Sequence, residues 1–143
     1  MAEYVYNQVQ TVEPNQNVLL QDSIPCGKGY VVHRNGSGIL TFRGMSNNAC
    51  ARFARYQATF NGNIAVPTGS TVGPISVALS IGGEPLQTSK AIVTPAAVEG
   101  YFNVTSTAII DVPIGCCYTV SVENVSDIPI NVQNANLVVS RIA

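Results

Sequence analysis

Tryptophan is absent from the 143-residue sequence, histidine occurs once, and charged residues make up only 10% of the chain, against about 25% in an average soluble domain. Each shortage excludes something. With one histidine, His33, a Ser-His-Asp or Cys-His arrangement has a single residue on which to converge. The place of His33 in a predicted strand beside Arg34 favours a hydrogen-bonded structural role. Seven Lys and Arg against eight Asp and Glu leave a net charge of -1, too little for the basic stripe that phosphate contacts require, so nucleic acid is not an expected partner. No apolar run approaches the roughly 20 residues of a bilayer span, and no membrane association is expected. The start, Met1-Ala2-Glu3-Tyr4, has neither a basic nor an apolar leader region, so no signal peptide is expected and synthesis is placed in a host cytoplasm.

Cysteine is scarce in a telling way. Cys26, Cys50, Cys116 and Cys117 are read as reduced, because nothing directs the chain to an oxidising compartment. Cys116 and Cys117 are neighbours in a predicted strand, so their side chains diverge and suit neither a mutual bridge nor a zinc site. The acids stand singly, and the Gly-containing stretch at Asn35-Gly36-Ser37 lacks the Lys-Ser/Thr pair and following helix of a phosphate loop. No metal, cofactor or catalytic residue is expected, and the chain is read as a non-enzyme.

What the chain has is β-branched residues: 19 Val, 12 Ile and 10 Thr, with only six Leu. Such side chains are stiff at χ1 and fit a pleated surface better than a helix. Twelve Gly and eight Pro fall between the apolar runs, where turns need them. The pattern predicts strands at 8–12, 17–22, 30–33, 38–43, 52–65, 75–81, 90–94, 101–112, 116–124, 128–133 and 135–142. Asn35-Gly36 marks a hairpin, and Asn61-Gly62 a bulge. The only stretch where a helical turn fits is 95–99. About ten short strands without helices predict an all-β, antiparallel jelly-roll sandwich, a single domain over residues 1–143 with 1–7 as a flexible arm.

The run Phe102-Asn103-Val104 through Ile109-Ile110-Asp111-Val112, the turn Pro113-Ile114-Gly115, the strand Tyr118 to Asn124 and the final Val132 to Ile142 resemble the closing strands of the tumour-necrosis-factor and complement-head jelly roll. They are most similar to the form carried by bacterial collagen-like and exosporium proteins. Gln10-Thr11-Val12, Asn17-Val18-Leu19 and Gly29 to Gly38 resemble small proteins encoded among the virion genes of tailed phages and prophages. The Gly-x-y stalk of the collagen-like forms is missing, and Cys116 stands where that group commonly has an Asp. The resemblance implies a homotrimer.

Taken together, these observations predict a phage virion structural protein: a trimeric capsid decoration or cement protein, or a head fibre, with the major capsid protein as its partner and the virion as its location. The alternative is a binding module that adheres to host glycans or sequesters a small nucleotide signal, the latter in a basic interprotomer pocket built from Arg34, Arg43, Arg52 and Arg55. Arg43, Arg52 and Arg55, around the 44–50 loop, are the candidate interface residues, since arginine's planar fork suits paired contacts to carboxylates.

Overall fold

The computed structural model describes residues 1–143. Twelve strands follow in order: β1 (Ala2–Tyr6), β2 (Gln10–Val12), β3 (Gln21–Ile24), β4 (Val31–His33), β5 (Leu40–Arg43), β6 (Phe53–Ala65), β7 (Ile75–Ile81), β8 (Glu84–Pro85), β9 (Ala91–Val93), β10 (Phe102–Pro113), β11 (Cys117–Asn124) and β12 (Ile130–Arg141). One six-stranded sheet has the order β10-β6-β12-β1-β3, with β2 beside β12; the other has the order β4-β5-β11-β7-β8, with β9 beside β7. All pairings are antiparallel, so the chain is the all-β jelly-roll sandwich its composition predicts.

The period-two alternation of β6 explains the core. Ala54, Tyr56, Ala58 and Phe60 are fully buried while Arg55, Gln57 and Thr59 stay partly open. Their partners from the second sheet include Leu40, Phe42, Leu79 and Val120, and together they form one cluster of 27 residues. Each large aliphatic or aromatic side chain buried there contributes roughly 1.5–3 kcal/mol. Tyr56 brings a hydroxyl into this cluster and satisfies it on two backbone oxygens, those of Tyr30 and Arg43.

Residues 1–7 are not a flexible arm: Ala2 and Tyr4 are each 1% exposed, and β1 lies between β12 and β3 with Tyr4 opposite Leu137. Alternation over five residues was too short to announce this strand. The 17–22 segment divides in two. Asn17 bridges to Glu123 in the second sheet, and only from Gln21 does the chain join the first; Val18 and Leu20, both fully buried, make the crossing. The two strands expected at 128–133 and 135–142 are one strand, β12. It pairs along β6 with a register break between Gln133 and Asn136, where Asn134 takes φ +55°. The bulge therefore sits on β12 opposite Gly62, while β6 runs unbroken along β10. A Cβ at Gly62 would stand 2.8 Å from the Phe60 ring, which is why the glycine is there. The helical turn falls at Gln87–Ser89 rather than 95–99, because Glu99 is left-handed at φ +59°. Its carboxylate instead accepts from Thr68 N, Thr68 Oγ1 and Asn131 Nδ2.

Candidate functional site

The outward face of the first sheet is unusual for what its side chains do to one another. From β10 it presents Asn103, Thr105, Thr107, Ile109 and Asp111, and from β6 Arg55, Gln57, Thr59, Asn61 and Asn63. Asn103 Nδ2 donates to Asn61 Oδ1 at 2.9 Å and Asn63 Oδ1 at 3.1 Å, Thr105 Oγ1 reaches Asn61 Oδ1 at 3.3 Å, and Thr107 and Thr59 pair at 3.2 Å. On the next strands lie Asn136, Val138 and Ser140 of β12 and Glu3 of β1, with Val138 opposite both Thr59 and Glu3.

The few charges on this face are all hydrogen-bonded within the chain, and two of them pair with each other. Arg55 grips Asp111 with both arms, Nε to Oδ1 at 2.7 Å and Nη2 to Oδ2 at 2.9 Å. That bond raises the arginine above and lowers the aspartate below their ordinary values. Glu3 accepts from Asn136 Nδ2 at 2.8 Å and Ser23 Oγ at 3.2 Å. The result is a face of amides, hydroxyls and aliphatic carbon whose one charge without a counter-ion, Glu3, is held by two neutral donors.

Of the candidate interface residues, Arg55 belongs to this face and Arg52 precedes β6, while Arg43 belongs to β5 in the opposite sheet. Arg43 and Arg55 alternate with the buried Phe42 and Tyr56, so their side chains leave opposite sides of the sandwich. The three arginines are thus not one cluster in a protomer; proximity in sequence around the 44–50 loop hid a change of sheet.

His33 has both ring nitrogens committed. Nδ1 lies 2.6 Å from Asp22 Oδ1 and Nε2 lies 2.7 Å from the Ser37 carbonyl oxygen, with the side chain 1% exposed and its ring 4.7 Å from that of Tyr4. The residue fastens β3 of one sheet to the β4–β5 hairpin of the other, and no ring nitrogen is left to take a substrate proton. The four cysteines are free.

On the outer side of the second sheet an open groove of about 560 Å³ is lined by Asn15, Asn17, Thr119, Ser121, Glu123 and the 82–85 turn. Strand β7, read from sequence as half-buried, is covered on both faces: Ser76, Ala78 and Ser80 are each 5% exposed or less. Their small side chains, with Ala78 directly opposite Glu123, let the Glu123 carboxyl lie down on the sheet, where the residue is only 6% exposed.

Burial pushes the Glu123 carboxyl above its ordinary value, with Glu84 adding to the rise and Ser80 opposing it. A carboxyl raised on folding favours the native state below its unfolded value, and that advantage is lost as pH rises through the folded value. Glu123→Gln is therefore expected to match the parent at about pH 4 and to be the more stable of the two at pH 7. Urea unfolding at both pH values reads the difference; an unchanged gap would contradict the assigned burial.

No family model and no curated protein matches the chain. Among solved structures it is similar to the globular domain of a zebrafish complement 1qA protein, at 13% identity and a TM-score of 0.58, covering 96% of each chain. Looser similarities are to the EclA C-terminal domain, a sugar-binding protein (13% identity, TM-score 0.43, 94% of this chain and 79% of that one), and to CBM35 from Cellvibrio japonicus Abf62 (10%, 0.34, 95% and 99%). The chain has the complement-head jelly-roll fold.

Proposed function

We propose that the protein is a non-enzymatic structural unit that assembles as a homotrimer through the outer face of the β10-β6-β12-β1-β3 sheet. It serves a phage particle as a capsid decoration or cement protein, or as a head fibre, with the major capsid protein as its partner. The observation that carries the assembly is the charge-poor face. Interface cores are depleted in charge, and this face carries only one ion pair closed within the protomer and one carboxylate, Glu3, already held by two donors, so it loses little when water is removed from it. The phage setting rests on the resemblance of Gln10-Thr11-Val12 and Gly29 to Gly38 to tailed-phage virion proteins. Mass spectrometry of purified particles tests it: detection at capsid-like copy number is expected, and complete absence from the particle would overturn it.

The groove over Ser121 and Glu123 favours a second reading, adhesion to host glycans, because its hydroxyls, amides and carboxylate match the donors and acceptors of a sugar. Glycan binding that disappears in Glu123→Ala would favour that reading over the structural one. Sequestration of a nucleotide by Arg34, Arg43, Arg52 and Arg55 would need more than one protomer, since Arg43 and Arg55 leave opposite sides of one.

A further inference from the structure

Away from both faces, a cleft of about 510 Å³ opens at the turn between β3 and β4, lined by Met1, Cys26, Gly27, Lys28, Tyr30 and Arg141. Two of these six residues are cations and none is an acid. The chain's salt bridges, His33–Asp22 and Arg55–Asp111, involve neither cation, so Lys28 and Arg141 have no Asp or Glu partner. A third cation stands at the back of the turn, where Arg43 Nη1 makes a long 3.5 Å contact to the Gly29 oxygen.

Arg141 is held as a pre-set receptor would be. Its guanidinium stacks 4.4 Å from the Tyr30 ring and reaches to 6.0 Å from Tyr56, which fixes its plane. Its Nε donates to the Ala143 oxygen at 3.1 Å. Its Nη1 is buried with no acceptor at all, the one such side-chain atom in the protein. A buried charged donor without a partner is costly, and its presence calls for an acceptor.

The turn itself is suited to an anion. Gly29 is left-handed at φ +71°, and a Cβ at Gly27 would meet nothing within 4 Å, so the backbone is bare on the cleft side. Burial pushes the Cys26 thiol up, yet hydrogen bonds from the backbone of Lys28, Val31 and Tyr30 outweigh it and hold the thiol below its ordinary value.

We infer that this cleft binds a phosphate group, either free or as the terminal group of a small ester, with Lys28 and the Arg141 fork as its principal donors. A tetrahedral oxyanion accepts hydrogen bonds from several directions at once, which suits an ammonium and a planar fork lining one space.

Cys26 supplies the readout. Iodoacetamide labelling of each cysteine is followed by mass spectrometry with inorganic phosphate, adenosine monophosphate or adenosine present. Exposed Cys50, outside the cleft, is the internal reference. Phosphate and the monophosphate are expected to slow Cys26 labelling at least fivefold at millimolar concentration and to leave Cys50 unchanged, while adenosine protects neither. Protection by the monophosphate at lower concentration than free phosphate identifies an ester as the ligand; equal potency identifies the free ion. Lys28→Gln, a change at an exposed position, is expected to weaken protection about tenfold without altering the fold, and Arg141→Gln to abolish it. Because Arg141→Gln also removes the stacking on Tyr30, Lys28→Gln is the deciding variant. The inference is overturned if neither phosphate protects Cys26, if adenosine protects as well as its monophosphate, or if Lys28→Gln retains full protection.

Discussion

Val138→Asp is expected to turn the proposed trimer into a monomer, lowering the solution mass from three times 15.1 kDa to the mass of one chain. Val138 is partly exposed on the outer face of β12, so in a separated protomer the new carboxylate stays in water and the fold is retained. In the assembly it would be buried beside Glu3, directly opposite on β1, with no cation free to meet it, because Arg55 is held by Asp111. An uncompensated buried charge costs about 3–5 kcal/mol, a loss of roughly two to four orders of magnitude in association. Thr119→Asp, exposed on the outer side of the other sheet, is expected to leave the mass unchanged. Light scattering on both variants checks the pair, and circular dichroism confirms that each is folded.

Gly44→Ala is expected to damage the fold itself. A Cβ at Gly44 would stand 1.9 Å from the Pro113 oxygen, 2.8 Å from the Pro113 carbonyl carbon and 3.1 Å from the Cys116 oxygen. All three are backbone atoms and cannot swing aside. They belong to the turn joining β10 to β11, which Gly44 fastens by donating to Cys116 O at 2.8 Å and accepting from Gly115 N at 3.0 Å. Relieving the clash breaks that fastening, so overpacking and two lost hydrogen bonds add to about 3–5 kcal/mol. For a domain of this size the midpoint of thermal unfolding should fall by roughly 10–20 °C. Gly115→Ala meets open space and bears only the strain of φ +86°, a cost of about 1–2 kcal/mol. Calorimetry on the two variants separates contact from conformation; equal losses would place the cost in the wrong term.

Long strands with strict alternation were legible because a half-buried strand writes its burial into every second residue: Tyr56, Ala58 and Phe60 in β6, or Val120 and Val122 in β11. The Asn35-Gly36 hairpin was legible too, since its turn demands positive φ and Gly36 supplies +89°. Features that depend on what lies opposite were not. Strand β1 is short, and its place is set by Leu137 and Val139 more than a hundred residues away. The bulge at Asn134 exists because Gly62 faces it, and a glycine on one strand does not announce which partner bends.

The candidate sites followed the same division. The uncharged character of the chain pointed to a buried face, but the face itself arises from cross-strand register, with Asp111 opposite Arg55 and Thr107 opposite Thr59. Arg43, Arg52 and Arg55 are close in sequence and part company because the 44–50 loop carries the chain from one sheet to the other. Arg141 and Lys28, by contrast, are far apart in sequence and meet only because β12 ends beside the turn that leaves β3. Glu123 had the alternation of an exposed residue, and only the small side chains of Ala78 and Ser80 beside it allow its burial.

The mass of the unmodified protein in solution at micromolar concentration tests the central claim most directly. A single species at three times the chain mass of 15.1 kDa is predicted, whereas a monomer mass at that concentration would contradict assembly through the β10-β6-β12-β1-β3 face.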